Sequence, residues 1–478
     1  MEPSSLIVFG FTGDLTKRKL LPSLYSLEKS GLLPDMFQVI GVTRKAVDMS
    51  ELKDQLEEHI ASCDREVLDK LCDRISLVKA DISKREDFPK LKTQIDDLMP
   101  NTCSVKLFYF AVPPSLFEDV VNNMVEAQLH TCGNNIESRL LIEKPFGHDL
   151  VSAKKLLETI GSHFGEESIY PIDHYLAKDT AQNILYFRFH NPLIQNLWDG
   201  DNIKSIQVTA MEELDIQGRA DFYEQTGALR DMIQGHMLQV LSLVTMDEPA
   251  SLETDDVRRQ RQLLLKSIVP IDADDQHNNA VRGQYKGYRN EVGNHDSNVE
   301  TFAAVKLKID TSRWRNVPVY LRAGKAMSGK LTEVNVIFKS SHKHDEENIL
   351  TFRLQPNEGI AISFVIKQPG LENKHQSVTL DYCYKNHEEQ LSEAYDRIIY
   401  DGIRGDQTLF PAADEILASW GVVQPLLSSW LSDSESLVSY PKGAASIKEA
   451  DELVKKDNVE WVSHKSWVCA PRFNRSES

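Results

Sequence analysis

Residues 6–15 read Leu-Ile-Val-Phe-Gly-Phe-Thr-Gly-Asp-Leu, an apolar run followed by two glycines and the beginning of a helical pattern. The apolar run predicts a buried strand, and the glycines at positions 10 and 13 predict a tight turn between that strand and a helix. Amide N–H groups at the start of a helix bind phosphate, and glycine lets the backbone come close to it. Because the pattern is G-x-x-G-D rather than G-x-G-x-x-G, the turn alone indicates only a strand–helix junction.

Outward from this turn, apolar runs alternate with helical periodicity up to residue 164. The predicted strands are Leu6–Phe9, Phe37–Val42, Ile75–Val78, Leu107–Val112 and Leu140–Ile142, and the predicted helices are Leu15–Lys29, Glu51–Ala61, Lys84–Leu98, Leu116–Leu129 and Leu150–Phe164. The alternation predicts an α/β, Rossmann-like, doubly wound parallel sheet, in which the glycine turn binds a dinucleotide. The residues assigned to that site are Gly10, Phe11, Thr12, Gly13, Asp14 and Leu15.

The pattern changes between residues 170 and 200, where we place the domain boundary. Two long helices, 223–246 and 253–268, precede a series of short strands near 299–309, 317–322, 332–338, 350–354, 360–366 and 376–382. Segregated helices and consecutive strands predict an α+β domain with a large, mostly antiparallel sheet. The terminal helices 388–401 and 414–430 are expected to pack on that sheet, and 272–279 is expected to be an exposed loop.

The composition limits the partners and the location. The 54 basic and 72 acidic residues give a net charge of −18, which argues against nucleic acid and anionic membranes as partners. No run reaches the roughly 18 apolar residues of a membrane span, and the first strand begins too early for a signal peptide. The six cysteines form no C-x-x-C pair, which predicts no metal site, no disulfide framework and a reducing, cytoplasmic location.

The second strand ends at Thr43-Arg44-Lys45, where a fold specific for NAD usually carries an acidic residue for the ribose 2′-hydroxyl. Cations at this point suit a 2′-phosphate, so Arg44 favours NADP as the cofactor. The alternative is that Arg44 and Lys45 are solvated residues after a strand.

Two further segments carry groups suited to a phosphorylated, hydroxyl-rich ligand. In Asp173–Lys178, histidine, tyrosine and lysine side chains are donors for phosphate oxygens, although His174 and Tyr175 would also serve as packing residues. The helix 224–246 has an apolar face and contains Asp231 and His236. An isolated histidine on such a helix is more often a hydrogen-bonded core residue than a base, unless a carboxylate elsewhere orients its ring.

Taken together, these segments resemble the glucose-6-phosphate dehydrogenase family over nearly the whole chain. The matching motifs, in order, are Gly10–Lys19, Glu143-Lys144-Pro145-Phe146-Gly147, Asp173–Lys178, Arg230–His236, Val281–Tyr285, Arg322–Lys325, Glu393–Arg397 and Arg404-Gly405-Asp406. The resemblance implies oxidation of D-glucose 6-phosphate to 6-phospho-D-glucono-1,5-lactone with reduction of NADP, the first step of the oxidative pentose phosphate pathway. It also implies an NADP-binding domain over 1–175 and a substrate-binding and dimerisation domain over 176–478. The expected assembly is a homodimer or homotetramer.

The resemblance also implies roles for individual residues. His236 is expected to be the general base for the C1 hydroxyl, and Asp173 to orient it. The expected phosphate-binding residues are His174, Tyr175 and Lys178, and the expected sugar-pocket residues are Glu212, Asp231, Lys325, Lys330 and Gln355. Lys144 is expected to lie between cofactor and substrate and to contact both.

Departures from the family pattern leave some alternatives open. Phe11 stands where many relatives carry a small residue. A second, structural NADP is not expected, because its basic residues are matched only by Arg322 and Arg353, with Leu331 in place of a lysine. The alternative functions are a related sugar-phosphate dehydrogenase that uses NAD, and a catalytically silent NADP-binding sensor, which would be expected to lose the base or the phosphate cluster.

Overall fold

A computed structural model of the chain describes residues 2–60, 63–98, 105–130, 137–340, 346–386, 392–433 and 436–462. The chain divides into two compact units. The first consists of Met1–Ala177, Ser251–Arg258 and Ser392–Ile416, and the second of Lys178–Ala250, Arg259–Leu391 and Leu417–Ser478.

The strands are β1 (Ser4–Phe9), β2 (Gln38–Thr43), β3 (Ile75–Lys79), β4 (Val105–Phe110), β5 (Glu137–Ile142), β6 (Ile169–Pro171), β7 (Ile203–Met211), β8 (Ile268–Val269), β9 (Ala280–Tyr285), β10 (Phe302–Ile309), β11 (Val319–Gly324), β12 (Leu331–Phe338), β13 (Ile349–Gln355), β14 (Gly359–Lys367), β15 (His375–Cys383) and β16 (Leu437–Tyr440). The α-helices are α1 (Leu21–Lys29), α2 (Met49–His59), α3 (Arg65–Asp73), α4 (Phe88–Leu98), α5 (Phe117–Glu126), α6 (Leu150–Gly161), α7 (Asp179–Phe189), α8 (Pro192–Gln195), α9 (Ala220–Ala228), α10 (Leu238–Thr245), α11 (Thr254–Ser267), α12 (Gln276–Asn279), α13 (Tyr288–Val292), α14 (Ala394–Arg404), α15 (Ala413–Ser432) and α16 (Lys448–Lys455). Two further segments, Thr16–Leu20 and Leu229–Met237, are π-helical.

The sheet of the first unit has six parallel strands in the order β3-β2-β1-β4-β5-β6, which confirms the predicted Rossmann-like fold. Every residue of β1 and β4 is buried, as expected for central strands of a parallel sheet that is covered on both faces. The strand order reverses between β1 and β4. Ligands of such sheets bind beyond the carboxyl ends of the strands at this point.

Helix α14 was expected to pack on the second sheet, and this prediction is wrong. It belongs to the first unit, where Ile398, Ile399 and Ile403 join the core around β1 and β4. A β-carbon added to Gly402 would lie 3.1 Å from the side chain of Leu141 on β5. The amphipathic pattern of a helix shows which face is buried, but it does not show which sheet covers that face.

The buried Asp401 of α14 makes the stability of the first unit dependent on pH. Its Oδ2 accepts from Arg397 Nε at 2.7 Å, and burial raises its pKa to about 6. Between about pH 4 and pH 6 the folded chain therefore holds this proton more tightly than the unfolded chain, so stability falls as pH rises through that window.

We expect Asp401→Asn to be more stable than the wild type at pH 8 by up to about 3 kcal/mol, with the difference vanishing towards pH 4. Thermal unfolding between pH 4 and pH 8 measures it, and the exposed Asp97→Asn controls for the loss of one acidic charge. A destabilising effect of Asp401→Asn at pH 8 would contradict the assignment.

The second unit contains the predicted large sheet, which is mostly antiparallel. Its principal strand order is β15-β14-β13-β12-β7-β11-β10-β9-β16, with β8 beside β10. The two parallel pairs are β7 with β11 and β9 with β16. These observations confirm the predicted fold class.

Sequence reasoning missed β7, although it lies inside this sheet. The reason is its polar inner residues Ser205, Gln207 and Thr209, which are buried but interrupt the apolar pattern. Gln207 pairs with the chain after α16: its Nε2 donates to Glu460 O at 2.7 Å, and its Oε1 accepts from Val462 N at 2.9 Å.

Segment 272–279 was expected to be an exposed loop. It contains a short turn at Ala273–Asp275 and helix α12, and its residue Gln276 is buried.

Cys383 is disulfide-bonded, whereas Cys63 and Cys72 are free, so the expectation of no disulfide framework is wrong at Cys383. The spacing of cysteines along the chain does not reveal pairs formed between distant segments.

Within the described ranges, the helices are too short or too polar to cross a membrane.

Candidate active site

The glycine turn of the first unit follows β1 and has the geometry of a phosphate-binding loop. Gly10 has φ +82°, and Gly13 N donates to Gly10 O at 2.9 Å. A β-carbon on Gly10 would lie 2.2 Å from the carbonyl oxygen of Ala111, which follows β4. The turn therefore requires glycine at this position. It stands at the point where the strand order reverses.

The unusual Phe11 is accommodated below this turn. Its side chain is 1% exposed and belongs to the core of the first unit. A β-carbon on Gly41 of β2 would lie 2.5 Å from the Phe11 ring, so the strand makes room for the ring at Gly41. Only the backbone of Phe11 is therefore available to a ligand at the turn.

The other residues predicted to bind the cofactor are more accessible. Thr12 and Asp14 are exposed, and Asp14 pairs with Arg18 at 2.7 Å. Leu15 is half-buried at the edge of the core. Arg44 is exposed directly after β2, one strand away from the turn in the sheet.

A half-buried carboxylate follows β5 at the same edge, and the sequence had identified it only as part of a motif. Glu143 accepts hydrogen bonds from the hydroxyls of Tyr109 and Tyr395, the latter at 3.2 Å. Burial raises the pKa of Glu143, as does the charge of Asp173, while the two hydroxyls and the neighbouring Lys144 lower it. Lys144 itself precedes a cis peptide bond to Pro145.

Asp173 stands two residues after β6, also at the carboxyl edge of the parallel sheet. It is 2% exposed, and its Oδ1 accepts from Tyr175 N at 2.9 Å. Tyr175 is buried and His174 is half-buried, with their rings 5.0 Å apart. The first unit thus places the glycine turn, Lys144 and the start of the Asp173–Lys178 cluster along one sheet edge.

In the second unit, one edge of the large sheet gathers residues that are distant in sequence. Glu212 follows β7 and Lys325 follows β11, its parallel neighbour, so the two strands end together and the side chains form an ion pair. Lys330 precedes β12, which begins opposite the end of β7, and Gln355 ends β13 opposite Thr332. Four of the five predicted sugar-pocket residues therefore share this edge.

Tyr223 of α9 is a residue that sequence reasoning missed at this edge. It is 2% exposed, and Lys325 Nζ lies 5.2 Å from its ring centroid. Burial raises its pKa well above the ordinary value, and the charges of Asp231, Glu300 and Glu212 raise it further. Among the described residues its hydroxyl has no hydrogen-bond partner. The signal in the sequence was a tyrosine eight positions before Asp231, which is too weak to single out.

Asp231 and His236 lie on the π-helical segment Leu229–Met237. Asp231 is half-buried and His236 is 3% exposed. The i to i+5 hydrogen bonds of a π-helix widen each turn. Residues five apart, such as Asp231 and His236, therefore lie near the same side of the segment, whereas in an α-helix they would point in different directions. Single turns of this kind are frequent at functional sites.

Lys178 caps the beginning of α7, and its ammonium contacts the carboxylate of Glu358, which precedes β14. Thr180 Oγ1 donates to the other oxygen of Glu358 at 3.0 Å. A phosphate bound by Lys178 would therefore share this lysine with Glu358, a partner that no local motif indicated.

Arg322 and Arg353 match part of the basic residues expected at a second dinucleotide site, and both contact other side chains of the second unit. Arg322 lies 4.1 Å from the Trp461 ring centroid and donates to Thr209 Oγ1 at 3.1 Å, and burial lowers its pKa to about 10. Arg353 pairs with the buried Glu333 at 2.8 Å. That only one NADP binds stays a prediction.

Comparison with known proteins gives one consistent result. Residues 7–183 match the family model "Glucose-6-phosphate dehydrogenase, NAD binding domain" and residues 185–462 match "Glucose-6-phosphate dehydrogenase, C-terminal domain". The chain is 36% identical to a glucose-6-phosphate 1-dehydrogenase of Chlamydia pneumoniae, with 96% of each chain covered. It is 38% identical to the Arabidopsis thaliana protein named glucose-6-phosphate 1-dehydrogenase 5, cytoplasmic, covering 97% of this chain and 93% of that one. A solved glucose-6-phosphate dehydrogenase in complex with glucose 6-phosphate superimposes with a TM-score of 0.88 at 32% identity, over 97% of this chain and 99% of that one. The chain therefore belongs to the glucose-6-phosphate dehydrogenase family.

Proposed function

We propose that this protein oxidises D-glucose 6-phosphate to 6-phospho-D-glucono-1,5-lactone and reduces NADP. As a member of its family it is an oxidoreductase that uses a nicotinamide cofactor. The observation that carries the proposal is the match of both family domains over almost the entire chain.

In the proposed reaction, His236 removes the proton of the C1 hydroxyl and Asp173 orients the histidine and stabilises its protonated ring. His174, Tyr175 and Lys178 bind the phosphate, remote from the reacting carbon. Sugar hydroxyls are bound by Glu212, Lys325, Lys330 and Gln355 at the edge of the second sheet and by Asp231 on the π-helical segment. Binding energy from the phosphate and hydroxyls then aligns C1 for reaction.

The first unit fits the cofactor. The turn at Gly10 is a cradle that a β-carbon would fill, at a helix start beside the carboxyl edge of a parallel sheet. This turn and the backbone of Phe11 would hold the pyrophosphate, Arg44 the 2′-phosphate, and Lys144 the region shared with substrate. When bound, NADP supplies the acceptor for the hydride that leaves C1. We propose residues 1–175 as the NADP-binding domain and 176–478 as the substrate domain.

Purified protein with NADP or NAD, followed by absorbance of the reduced cofactor, tests the proposal. Turnover is expected with glucose 6-phosphate and NADP, and not with 6-phosphogluconate. Turnover only with NAD would favour the NAD-using alternative. NADP binding without turnover of any sugar phosphate would favour the silent sensor and reject the proposed activity.

Arg44→Ala tests the cofactor preference. Loss of a charge-assisted contact of about 1.5–3 kcal/mol is expected to raise the KM for NADP about 10- to 100-fold and to leave the KM for NAD nearly unchanged. Steady-state kinetics with both cofactors measure the ratio, and the exposed Arg65→Ala controls for the loss of a surface cation. An unchanged ratio would remove Arg44 from the cofactor site.

We also propose that the protein acts in the cytoplasm. We propose further that the chain forms a homodimer, or a tetramer of two dimers, through the end of its large sheet that is formed by β15. The edge strand β15 and its neighbour β14 carry cross-strand apolar pairs on one face, including Ile362 with Leu380 and Phe364 with Val378. Leu380 is 64% exposed and Phe364 41%. Neighbouring apolar side chains exposed on one strand pair suit a second copy of the chain.

Leu380→Glu is expected to shift the mass measured by light scattering towards that of the monomer, because a charge would be buried in the interface. Leu193→Glu, on the short helix α8 rather than on the sheet, is the matched control. An unchanged assembly of Leu380→Glu would place the interface elsewhere.

A further inference from the structure

We infer that Glu300 is a positioning residue for the substrate-binding side chains of the second unit. Its carboxylate fixes the start of the segment that carries Asp231 and His236, and the backbone at Glu300 and Thr301 ties that start to the strand end that carries Lys325. The inference rests on the proposed function, because the substrate roles of these side chains come from it.

The first contact is between Glu300 and the beginning of the π-helical segment. Leu229, its first residue, donates its backbone N–H to Glu300 Oε1 at 2.9 Å, and Ala228 N donates to Glu300 O at 2.9 Å. The first N–H groups of a helix have no partner within the helix, and a carboxylate there also interacts favourably with the helix dipole. Glu300 therefore fixes the direction in which the segment starts, two residues before Asp231.

A glycine makes this approach possible. Gly227 has φ +65° and ψ 174°, which breaks the helix between α9 and Leu229. A β-carbon at this position would lie 2.5 Å from Glu300 Oε1. The positive φ of Gly227 and the absence of a β-carbon therefore leave room for the carboxylate of Glu300, which lies more than seventy positions later in the chain.

The second contact is between the next residue and Lys325. Phe302, the first residue of β10, is opposite Gly324, the last residue of β11. Thr301 O accepts from Lys325 N at 2.9 Å, and Lys325 O accepts from the hydroxyl of Tyr440 at 2.8 Å. The backbone N–H and C=O of Lys325 are therefore both hydrogen-bonded, and Thr301, the partner of the N–H, is adjacent to Glu300.

The contact with Leu229 requires a hydrogen-bond acceptor at position 300 and does not require a charge. The residue is 5% exposed; burial raises its pKa, while the Leu229 N–H and the charges of Arg230 and Arg282 lower it. Burying a carboxylate costs free energy even when it accepts hydrogen bonds. A neutral capping side chain would satisfy Leu229 N–H without that cost.

The test compares three variants by turnover of glucose 6-phosphate. Glu300→Ala is expected to lower kcat about 10- to 100-fold, because misplacement of reacting groups by about 1 Å costs that much, with the dissociation constant of NADP unchanged. Glu300→Gln keeps an acceptor for Leu229 N–H and is expected to restore most of kcat. Glu300→Asp withdraws the carboxylate by one methylene and is expected to give an intermediate kcat at a melting temperature near that of the wild type, which keeps the test decisive if Glu300→Ala does not fold.

Glu224→Ala is the matched control. Its carboxylate accepts from Tyr288 and Ser297 hydroxyls at 2.7 and 2.6 Å in the same unit, so the variant should lower the melting temperature and leave kcat intact. A wild-type kcat in Glu300→Ala or Glu300→Asp, or an equal loss of kcat in Glu224→Ala, would overturn the inference. Absence of turnover in the wild type would instead reject the proposed function on which the inference rests.

Discussion

Replacing His236 with asparagine is expected to lower kcat for glucose 6-phosphate by about 10²- to 10⁴-fold, the contribution of a general base, while substrate still binds. Asparagine keeps hydrogen-bonding groups near the same place but cannot accept a proton near neutral pH. His236 is 3% exposed on the segment Leu229–Met237, where a shorter polar side chain is accommodated without a new charge.

Single-turnover kinetics and calorimetric titration of substrate separate the two effects. His190→Asn, which changes an exposed histidine of the same unit, controls for the chemical change itself. If His236→Asn kept turnover near that of the wild type, the base would have to be another residue. If it lost binding and turnover together, His236 would be a binding residue.

The first sheet could be predicted because its strands are buried on both faces and appear as continuous apolar runs separated by helices. The second sheet was predicted only in part. Its strand β7 carries the polar residues Gln207 and Thr209 on a buried face, and such a pattern looks like a loop until the partner segment is known. Helix α14 was assigned to the wrong sheet, since nothing local to a helix identifies the surface that it covers.

The residues of the candidate site were likewise predicted only in part. The strand–helix turn at Gly10–Gly13 was predictable, because its geometry depends on neighbours within a few residues in the chain. The cofactor role of Arg44 stays a prediction. The ion pair of Glu212 with Lys325 depends on the parallel pairing of β7 with β11, which was not predicted. Tyr223, Glu300 and Glu358 act on residues that are far away in sequence, so only the register of the sheet and the start of a helix reveal them.

The glycine turn also gives the second of the largest effects. Gly10→Ala places a β-carbon 2.2 Å from Ala111 O at a residue with φ +82°. The left-handed backbone costs about 1–2 kcal/mol and the clash about 1–3 kcal/mol, so we expect the free energy of unfolding of the first unit to fall by about 2–5 kcal/mol. NADP should bind about 10-fold more weakly or worse, because the turn must move and lose at least one hydrogen bond to phosphate.

Urea unfolding and calorimetric titration with NADP measure both effects. Gly31→Ala is the matched control, because Gly31 has φ +65° with no atom within 4 Å of an added β-carbon, so it carries the backbone cost without the clash and lies outside the turn. Gly13→Ala is a milder variant of the turn, since its β-carbon would lie 3.1 Å from Gly10 O without a positive φ. The expected order of NADP affinity is Gly31→Ala, then Gly13→Ala, then Gly10→Ala. If Gly10→Ala and Gly31→Ala bound NADP equally well, the close approach of Gly10 to Ala111 would not shape the cofactor site, and the dinucleotide would have to be held away from this turn.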